Sequence, residues 1–202
     1  MQTVQESIRG DGYYDQALDT HLISVMAGVY HWTRRKDIAF STTLGSCLSV
    51  CAFDRYAKIG GMNHFLLPQA PEGEDARYSE SFRYGSAAIE TLLNSLYNKG
   101  AAKNGLMIKI FGGAKVLNGL SQDVGRKNVE FAHKFFKREN LRVESEDVGG
   151  LHGRRVIFFP MTGKVLLRSI GERKDIDRIA ENEIKVMEKI TQVNADTDVE
   201  LF

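Results

Sequence analysis

The sequence predicts a single α+β domain with a mixed β-sheet, and three observations predict it. Segments rich in β-branched and aromatic residues outnumber those with helical periodicity. The two kinds do not alternate regularly, as they would in a parallel α/β fold. No repeat, low-complexity tract or linker divides the 202 residues, a length that supports one substantial core.

The elements follow in chain order. Residues up to Thr20 are polar, carry paired tyrosines, and are expected to form a flexible lead-in spanning residues 1–20. His21 to Trp32 leans toward one or two strands. Ile38 to Phe53 suggests two strand pieces around a bend at Gly45-Ser46, and Ile59 to Leu67 a further strand stopped by Pro68. Gln69 to Ser81 reads as a polar surface loop. Ser86 to Asn98 carries Ile89, Leu92, Leu93 and Leu96 on one helical face, with Gly100 placed as a C-cap. Leu106 to Phe111 is a short strand, and Val124 to Glu139 a second amphipathic helix with Val129, Ala132, Phe135 and Phe136 inward. Leu141 to Val148, Arg155 to Phe159 and Lys164 to Leu167 supply three more strands. Asp175 to Ile190 is a third helix, its inward residues being Ile176, Ile179, Ala180, Ile184, Met187 and Ile190. Residues 191–202 are expected to be a mobile tail, which leaves 21–190 as the domain.

Composition narrows the function classes. Lys plus Arg is 27 and Asp plus Glu is 26, a net charge of +1. A general nucleic-acid binder needs a surplus of positive charge, so that class is not expected. The first twenty residues lack an apolar run, and no secretory signal is expected. No stretch reaches the roughly 18 continuous apolar residues of a membrane span. Two cysteines are too few for a disulfide framework. The expectation is a cytoplasmic protein with free thiols and no membrane insertion.

Two segments carry the chemistry: Ser41-Thr42-Thr43-Leu44-Gly45-Ser46-Cys47 and Gly60-Gly61-Met62-Asn63-His64. An antiparallel hairpin turning between Arg55 and Tyr56 sets Asp54 opposite Ala57 and Cys47 opposite His64. Opposed residues share a face, with Cβ atoms roughly 4.5–5.5 Å apart, near enough for a thiol–imidazole hydrogen bond. A bulge at Gly60-Gly61 would shift that register by one. The pair matters because the thiolate is the nucleophile, and a neighbouring imidazole takes its proton. Gly45 leaves room for a substrate carbonyl, an N–H near Cys47 can stabilise an oxyanion, and a hydroxyl from Ser41, Thr42 or Thr43 can orient the imidazole. An activated Cys47 is expected to alkylate well below about pH 8 and to lie within reach of a visiting side chain.

Blander assignments compete. A strand cysteine is usually a small buried hydrophobe, the expectation for Cys51. The other histidines are weaker candidates: His21 and His31 border a strand, His133 sits on a helix and His152 in a glycine turn. A zinc site on Cys47, Cys51 and His64 has no evident fourth ligand. Phe111 to Val116 (FGGAKV) departs from both phosphate-loop spacings and reads as a tight turn with close backbone packing. Gly149, Gly150 and Gly153 read as turn glycines.

At these residues the sequence resembles the CheD family of chemoreceptor glutamine deamidases. TLGSCLSVCAFD (Thr43 to Asp54), GGMNHFLLP (Gly60 to Pro68), RYGSAAIETLL (Arg83 to Leu93), KIFGGAKVL (Lys109 to Leu117), VGRKNV (Val124 to Val129) and EDVGGLHGRRVIFF (Glu146 to Phe159) carry the likeness. The resemblance implies an α+β layered sandwich flanked by helices, similar to toxin-type cysteine deamidases. It implies a cysteine–histidine–threonine site, with Cys47 and His64 in the first two places. The threonine's position, six residues before the cysteine, holds Ser41 here, so either Ser41 or Thr42 supplies the third hydroxyl. The implied reaction converts glutamine side chains of methyl-accepting chemotaxis receptors to glutamate through a cysteine thioester, releasing ammonia, with no metal or organic cofactor. Some relatives also bind a CheC-type phosphatase. A non-catalytic adaptor on the same fold, favoured by Ser41, and another cysteine hydrolase of transglutaminase or peptidase type are the competing functions. Asp75 to Tyr84 is expected to form part of the docking surface.

Overall fold

A computed structural model describes residues 12–67, 80–116 and 124–197. In chain order the strands are β1 (Gly12–Asp15), β2 (Thr20–Ser24), β3 (Tyr30–Thr33), β4 (Ile38–Leu44), β5 (Leu48–Asp54) and β6 (Ile59–Asn63). Helix α1 (Glu80–Asn98) is followed by β7 (Leu106–Gly112), α2 (Val124–Arg138), β8 (Val143–Val148), β9 (Gly153–Phe159), β10 (Lys164–Ile170) and α3 (Arg173–Thr197). They form an α+β architecture with two five-stranded sheets, ordered β1-β2-β4-β9-β10 and β3-β6-β5-β7-β8. Each is mixed: β2 runs parallel to β4 and β7 parallel to β8, while the other pairs are antiparallel.

Side-chain alternation along the central strand β5 explains the layering. All seven of its residues are buried. Cys51 and Phe53 point at the first sheet and meet Ile23, Phe40, Val156 and Phe158. Leu48, Val50 and Ala52 point the other way, against Ile89, Leu92 and Leu96 of α1 and Phe131, Phe135 and Phe136 of α2. A strand covered on both faces reads as a continuous apolar run, which is how β5 reads. The layers are therefore sheet, sheet, helices, with α1 and α2 on one outer face. Gly100 ends α1 at φ 95°, donating to the Tyr97 carbonyl at 2.8 Å as a C-cap glycine should.

Three features differ from expectation. The lead-in is not loose throughout, because Tyr13-Tyr14 pair with Leu22 and His21 and make β1 an edge strand. Helix α3 runs past Ile190 to Thr197, so part of the expected tail is helical. The β5–β6 register also differs: Asp54 faces Ile59, Cys51 faces Met62, and Leu48 bridges to Phe65. The loop is longer than a two-residue turn because the Asp54 carboxylate accepts from Tyr56 N at 2.8 Å and Ala57 N at 2.9 Å, while Lys58 takes φ 50°. No bulge interrupts Gly60-Gly61, which pair with Phe53 and Ala52. The register moves by two, which keeps every side chain on its expected face.

The two glycines serve the layers instead. A Cβ on Gly60 would lie 2.5 Å from the Pro160 carbonyl oxygen, and one on Gly61 would lie 2.7 Å from Leu92 Cδ1. Gly60 thus sets the approach of the two sheets. Gly60→Val is expected to destabilise the protein by about 1–3 kcal/mol through overpacking. Urea denaturation measures it, and an unchanged midpoint would contradict this account of sheet spacing.

Candidate active site

The bend between β4 and β5 carries Gly45, Ser46 and Cys47, and its geometry is enforced from three sides. Gly113 N donates to the Cys47 carbonyl at 2.7 Å, and Ala114 N to the Gly45 carbonyl at 2.7 Å. This is the close backbone packing expected of FGGAKV. Gly112 and Gly113 adopt φ 113° and 67°, and a side chain on Gly112 would collide with the Cys47 carbonyl. From α2, fully buried Asn128 donates to the Ser46 carbonyl at 2.7 Å and accepts from Leu67 N at 2.9 Å. With its carbonyls tied back, the bend turns its N–H groups outward.

Those N–H groups converge on one side chain. Glu183 of α3 accepts from Gly45 N at 3.0 Å and Cys47 N at 3.0 Å through Oε1. Its Oε2 accepts from Ser46 N at 2.9 Å and Ser46 Oγ at 2.6 Å. The same carboxylate lies near enough to the Cys47 thiol for its charge to act on it. Burial, then the Glu183 charge, pushes the Cys47 thiol well above its usual range. Cys47 is 0% exposed. In this arrangement the thiol is protonated and covered, contrary to the expectation of an open, readily alkylated sulfur. The sulfur packs in the inter-sheet core, and Glu183, on a helix distant in sequence, lies beside it at the Cys47 N–H.

His64 lies just beyond β6. The loop from Val25 to Val29 clamps its backbone, with His64 N donating to the Val29 carbonyl at 3.1 Å and Gly28 N to the His64 carbonyl at 2.8 Å. Buried Asn63 anchors the neighbouring turn, accepting from Val50 N at 2.8 Å and donating to the Ala88 carbonyl at 2.9 Å. The imidazole Nδ1 lies 2.9 Å from Thr42 Oγ1, and that hydroxyl donates to the Val25 carbonyl at 2.8 Å. A hydroxyl has one proton. Since Thr42 gives its proton to Val25, the network assigns the imidazole proton to Nδ1, which leaves Nε2 as the basic nitrogen. Nε2 is buried without a hydrogen-bond partner.

The structure therefore brings Thr42, not Ser41, to the imidazole. Phe40, Thr42 and Leu44 share the face of β4 that looks between the sheets, and alternation turns Ser41 the other way. Ser41 meets β2 through its carbonyl, which accepts from Val25 N at 2.8 Å. Cys47 immediately precedes β5 and His64 immediately follows β6, and the two are not directly opposed. With Leu48 bridged to Phe65 they form a diagonal pair, for which about 7–8 Å is typical.

Cys51 is buried between the sheets, and burial pushes its thiol up. His31 stacks tilted on Phe40 at 5.8 Å, and His133 pairs at the surface with Glu146 at 2.7 Å. Among the described residues no group of three or more His, Cys, Asp or Glu is placed to hold a metal ion. Asp75 to Ser79 of the expected docking segment lie outside the described residues. Sequence reasoning missed Glu183, Asn128 and the Val25 loop. The available signal was polarity at inward helical positions: Glu183 lies seven residues after Ile176, and Asn128 four before Ala132. Ile184, expected inward, is 43% exposed because Glu183 takes the inward position.

Burial lowers the His64 pKa below its usual 6.5, against the opposing effects of the Val25 carbonyl and Glu183. The unfolded chain therefore takes up a proton that the folded chain refuses. The contribution to stability is complete above pH 6.5 and is lost as pH falls from there toward the folded-state value. Compared with His64→Gln in urea, the wild type is expected to lose up to about 1.4 kcal/mol more per pH unit over that window. Parallel pH profiles for the two proteins would contradict a buried neutral imidazole.

Comparison with known proteins places the chain. The CheD family, described as CheD chemotactic sensory transduction, matches residues 66–169, about half of the chain. A protein of Janthinobacterium sp. (strain Marseille) is 39% identical over 191 residues, covering 94% of this chain and 93% of its own length. A relative from Methylobacillus flagellatus is 37% identical over 201 residues, covering 98% of each. One from Ralstonia pickettii is 41% identical over 191 residues, covering 93% of this chain and 80% of the relative. Each of the three is described as a probable chemoreceptor glutamine deamidase CheD. Among solved structures, a DUF152 protein of Neisseria meningitidis aligns over 67% of this chain and 64% of its own with a TM-score of 0.40 and 12% identity. The hypothetical protein YfiH of Bacillus licheniformis aligns over 58% of this chain and 49% of its own, with a TM-score of 0.38 and 10% identity. With the family match and relatives aligned over most of its length, this chain belongs to the CheD family.

Proposed function

We propose that the protein deamidates glutamine side chains of methyl-accepting chemotaxis receptors, with Cys47 as nucleophile, His64 as base and Thr42 orienting the imidazole. One observation carries this reading: the N–H groups of Gly45, Ser46 and Cys47 converge beside the thiol on the two oxygens of a carboxylate. Donors so arranged suit the oxyanion that forms when a thiolate attacks a carboxamide. The three relatives described as deamidases supply the substrate class.

In this mechanism the Cys47 proton passes to His64 Nε2, the nitrogen left bare by the Thr42 network. The thiolate attacks the glutamine Cδ, forming the Sγ–C bond, and the carbonyl oxygen takes up negative charge against the bend's N–H groups. As the tetrahedral species collapses, the C–N bond breaks and His64 returns its proton to the departing ammonia. A water molecule, deprotonated by His64, then cleaves the thioester to give the glutamate carboxylate and free thiol. No step uses a metal or organic cofactor. The 2.9 Å contact between Thr42 Oγ1 and Nδ1 supports Thr42 as the third hydroxyl that the family likeness left between Ser41 and Thr42.

The catalytic unit is residues 21–190, and the sandwich is of the toxin-type deamidase kind. No described helix is long and apolar enough to cross a membrane, and the reaction is assigned to the cytoplasm, where receptor helices carry the target glutamines. A CheC-type phosphatase is the proposed second partner.

Incubating the protein with a receptor cytoplasmic fragment and reading glutamine-to-glutamate mass gains tests the reading. Wild type is expected to convert glutamines and Cys47→Ala to convert none. Thr42→Val is expected to lower the rate by about 10- to 100-fold, with Thr42→Ser restoring most of it, while Ser41→Ala stays close to wild type. Equal conversion by wild type and Cys47→Ala would refute the mechanism.

A further inference from the structure

The Glu183 carboxylate does what a reaction product would do. It is 5% exposed and takes up the backbone N–H groups of Gly45, Ser46 and Cys47 and the Ser46 hydroxyl. No cation joins it in those contacts, so its charge is held by the N–H cradle. Burying a charge away from water is costly unless the site is built for it. The cradle is such a site.

The first half of the helix that delivers Glu183 is thinly held. Between residues 173 and 186 only Ile176, Ile179, Ala180, Glu183 and Val186 are shielded from solvent. Ile176 and Ala180 lie on Ala114 and Val116, and Val186 touches the edge of the inter-sheet core. Ile179 occupies a notch made by two glycines. A Cβ on Gly45 would lie 2.8 Å from Ile179 Cγ2 and 3.1 Å from Glu183 Oε1, and a Cβ on Gly153 would lie 2.8 Å from Ile179 Cδ1. So few apolar contacts mark a segment that opens at lower cost than the sheets. A segment with few apolar contacts between residues 173 and 186, held by one buried carboxylate with four hydrogen bonds, has the character of a displaceable ligand.

We propose that the N–H cradle of Gly45, Ser46 and Cys47 is a binding site for the glutamate carboxylate, and that α3 fills it in cis with Glu183, holding the enzyme closed as a tethered product mimic. The inference rests on the deamidase reading for its functional meaning and on the Glu183 contacts for its geometry. A substrate glutamine reaches Cys47 only after α3 leaves, and the same departure uncovers the thiol. Ile179 and Glu183, four residues apart on one helical face, enter notch and cradle together, so either substitution loosens the seat.

The test compares the wild type with Glu183→Ala, and with Ile179→Ala as a second variant in case the first folds poorly. Alkylation of Cys47 by iodoacetamide at neutral pH, mapped by mass spectrometry, is one readout, and receptor-fragment deamidation is the other. Ile184→Ala, on the solvent side of α3, serves as a control expected to match wild type. Freed from the carboxylate, Cys47 is expected to alkylate on the order of tenfold faster or more, and receptor conversion to rise by a similar factor. A carboxylate that merely braces the bend predicts the reverse for conversion, because its loss would disorder the N–H cradle. Alkylation at the wild-type rate, or lower receptor conversion in both variants, would overturn the proposal. Absence of conversion in every protein, with alkylation still accelerated, would instead overturn the deamidase reading and leave the occluding helix standing.

Discussion

The outward-turned N–H groups of one bend are the constraint on which the rest of the site depends. Polar backbone groups buried without partners are costly, so a bend with its N–H groups aimed away from its own sheet needs an acceptor. The fold pins the bend from behind through Asn128, Gly113 and Ala114, and leaves the front to an anion. Glu183 supplies that anion here. The same arrangement that stabilises a resident carboxylate is suited to developing negative charge on a substrate oxygen. Structure and chemistry thus meet in one feature, and Gly45, Gly112 and Gly113 beside it each have a steric reason to be glycine.

The histidine half of the site is governed by a single proton. Because Thr42 spends its hydroxyl proton on the Val25 carbonyl, the imidazole must donate through Nδ1 and present a bare Nε2. Burial lowers the pKa and keeps that ring neutral. A neutral imidazole with a fixed tautomer is the form a general base requires. An unpartnered buried nitrogen costs stability, and active sites are where proteins accept such costs.

Much of this was legible in the sequence, and the reasons are specific. The apolar run through β5 signalled a central strand, and a register moved by two leaves the facing of the paired residues Cys51 to Asp54 unchanged. The register itself was not legible, because the Asp54 side chain lengthens the loop by hydrogen-bonding its own turn. The choice between Ser41 and Thr42 needed the strand's facing. Glu183 acts on residues 136 to 138 positions away, and no local pattern connects so distant a helix to the bend. What the sequence did hold was a carboxylate in the apolar stripe of α3, an inconsistency of the kind that marks function.

The central claim is that a glutamine acyl group passes onto Cys47. Rapid acid quenching of the enzyme during turnover of a receptor fragment, followed by peptide mapping, tests it most directly. The account predicts a receptor-derived acyl adduct on the Cys47 sulfur, with its population falling as substrate is exhausted. Steady glutamate formation with no adduct at Cys47 at any time of quenching, or an adduct on another residue, would contradict it.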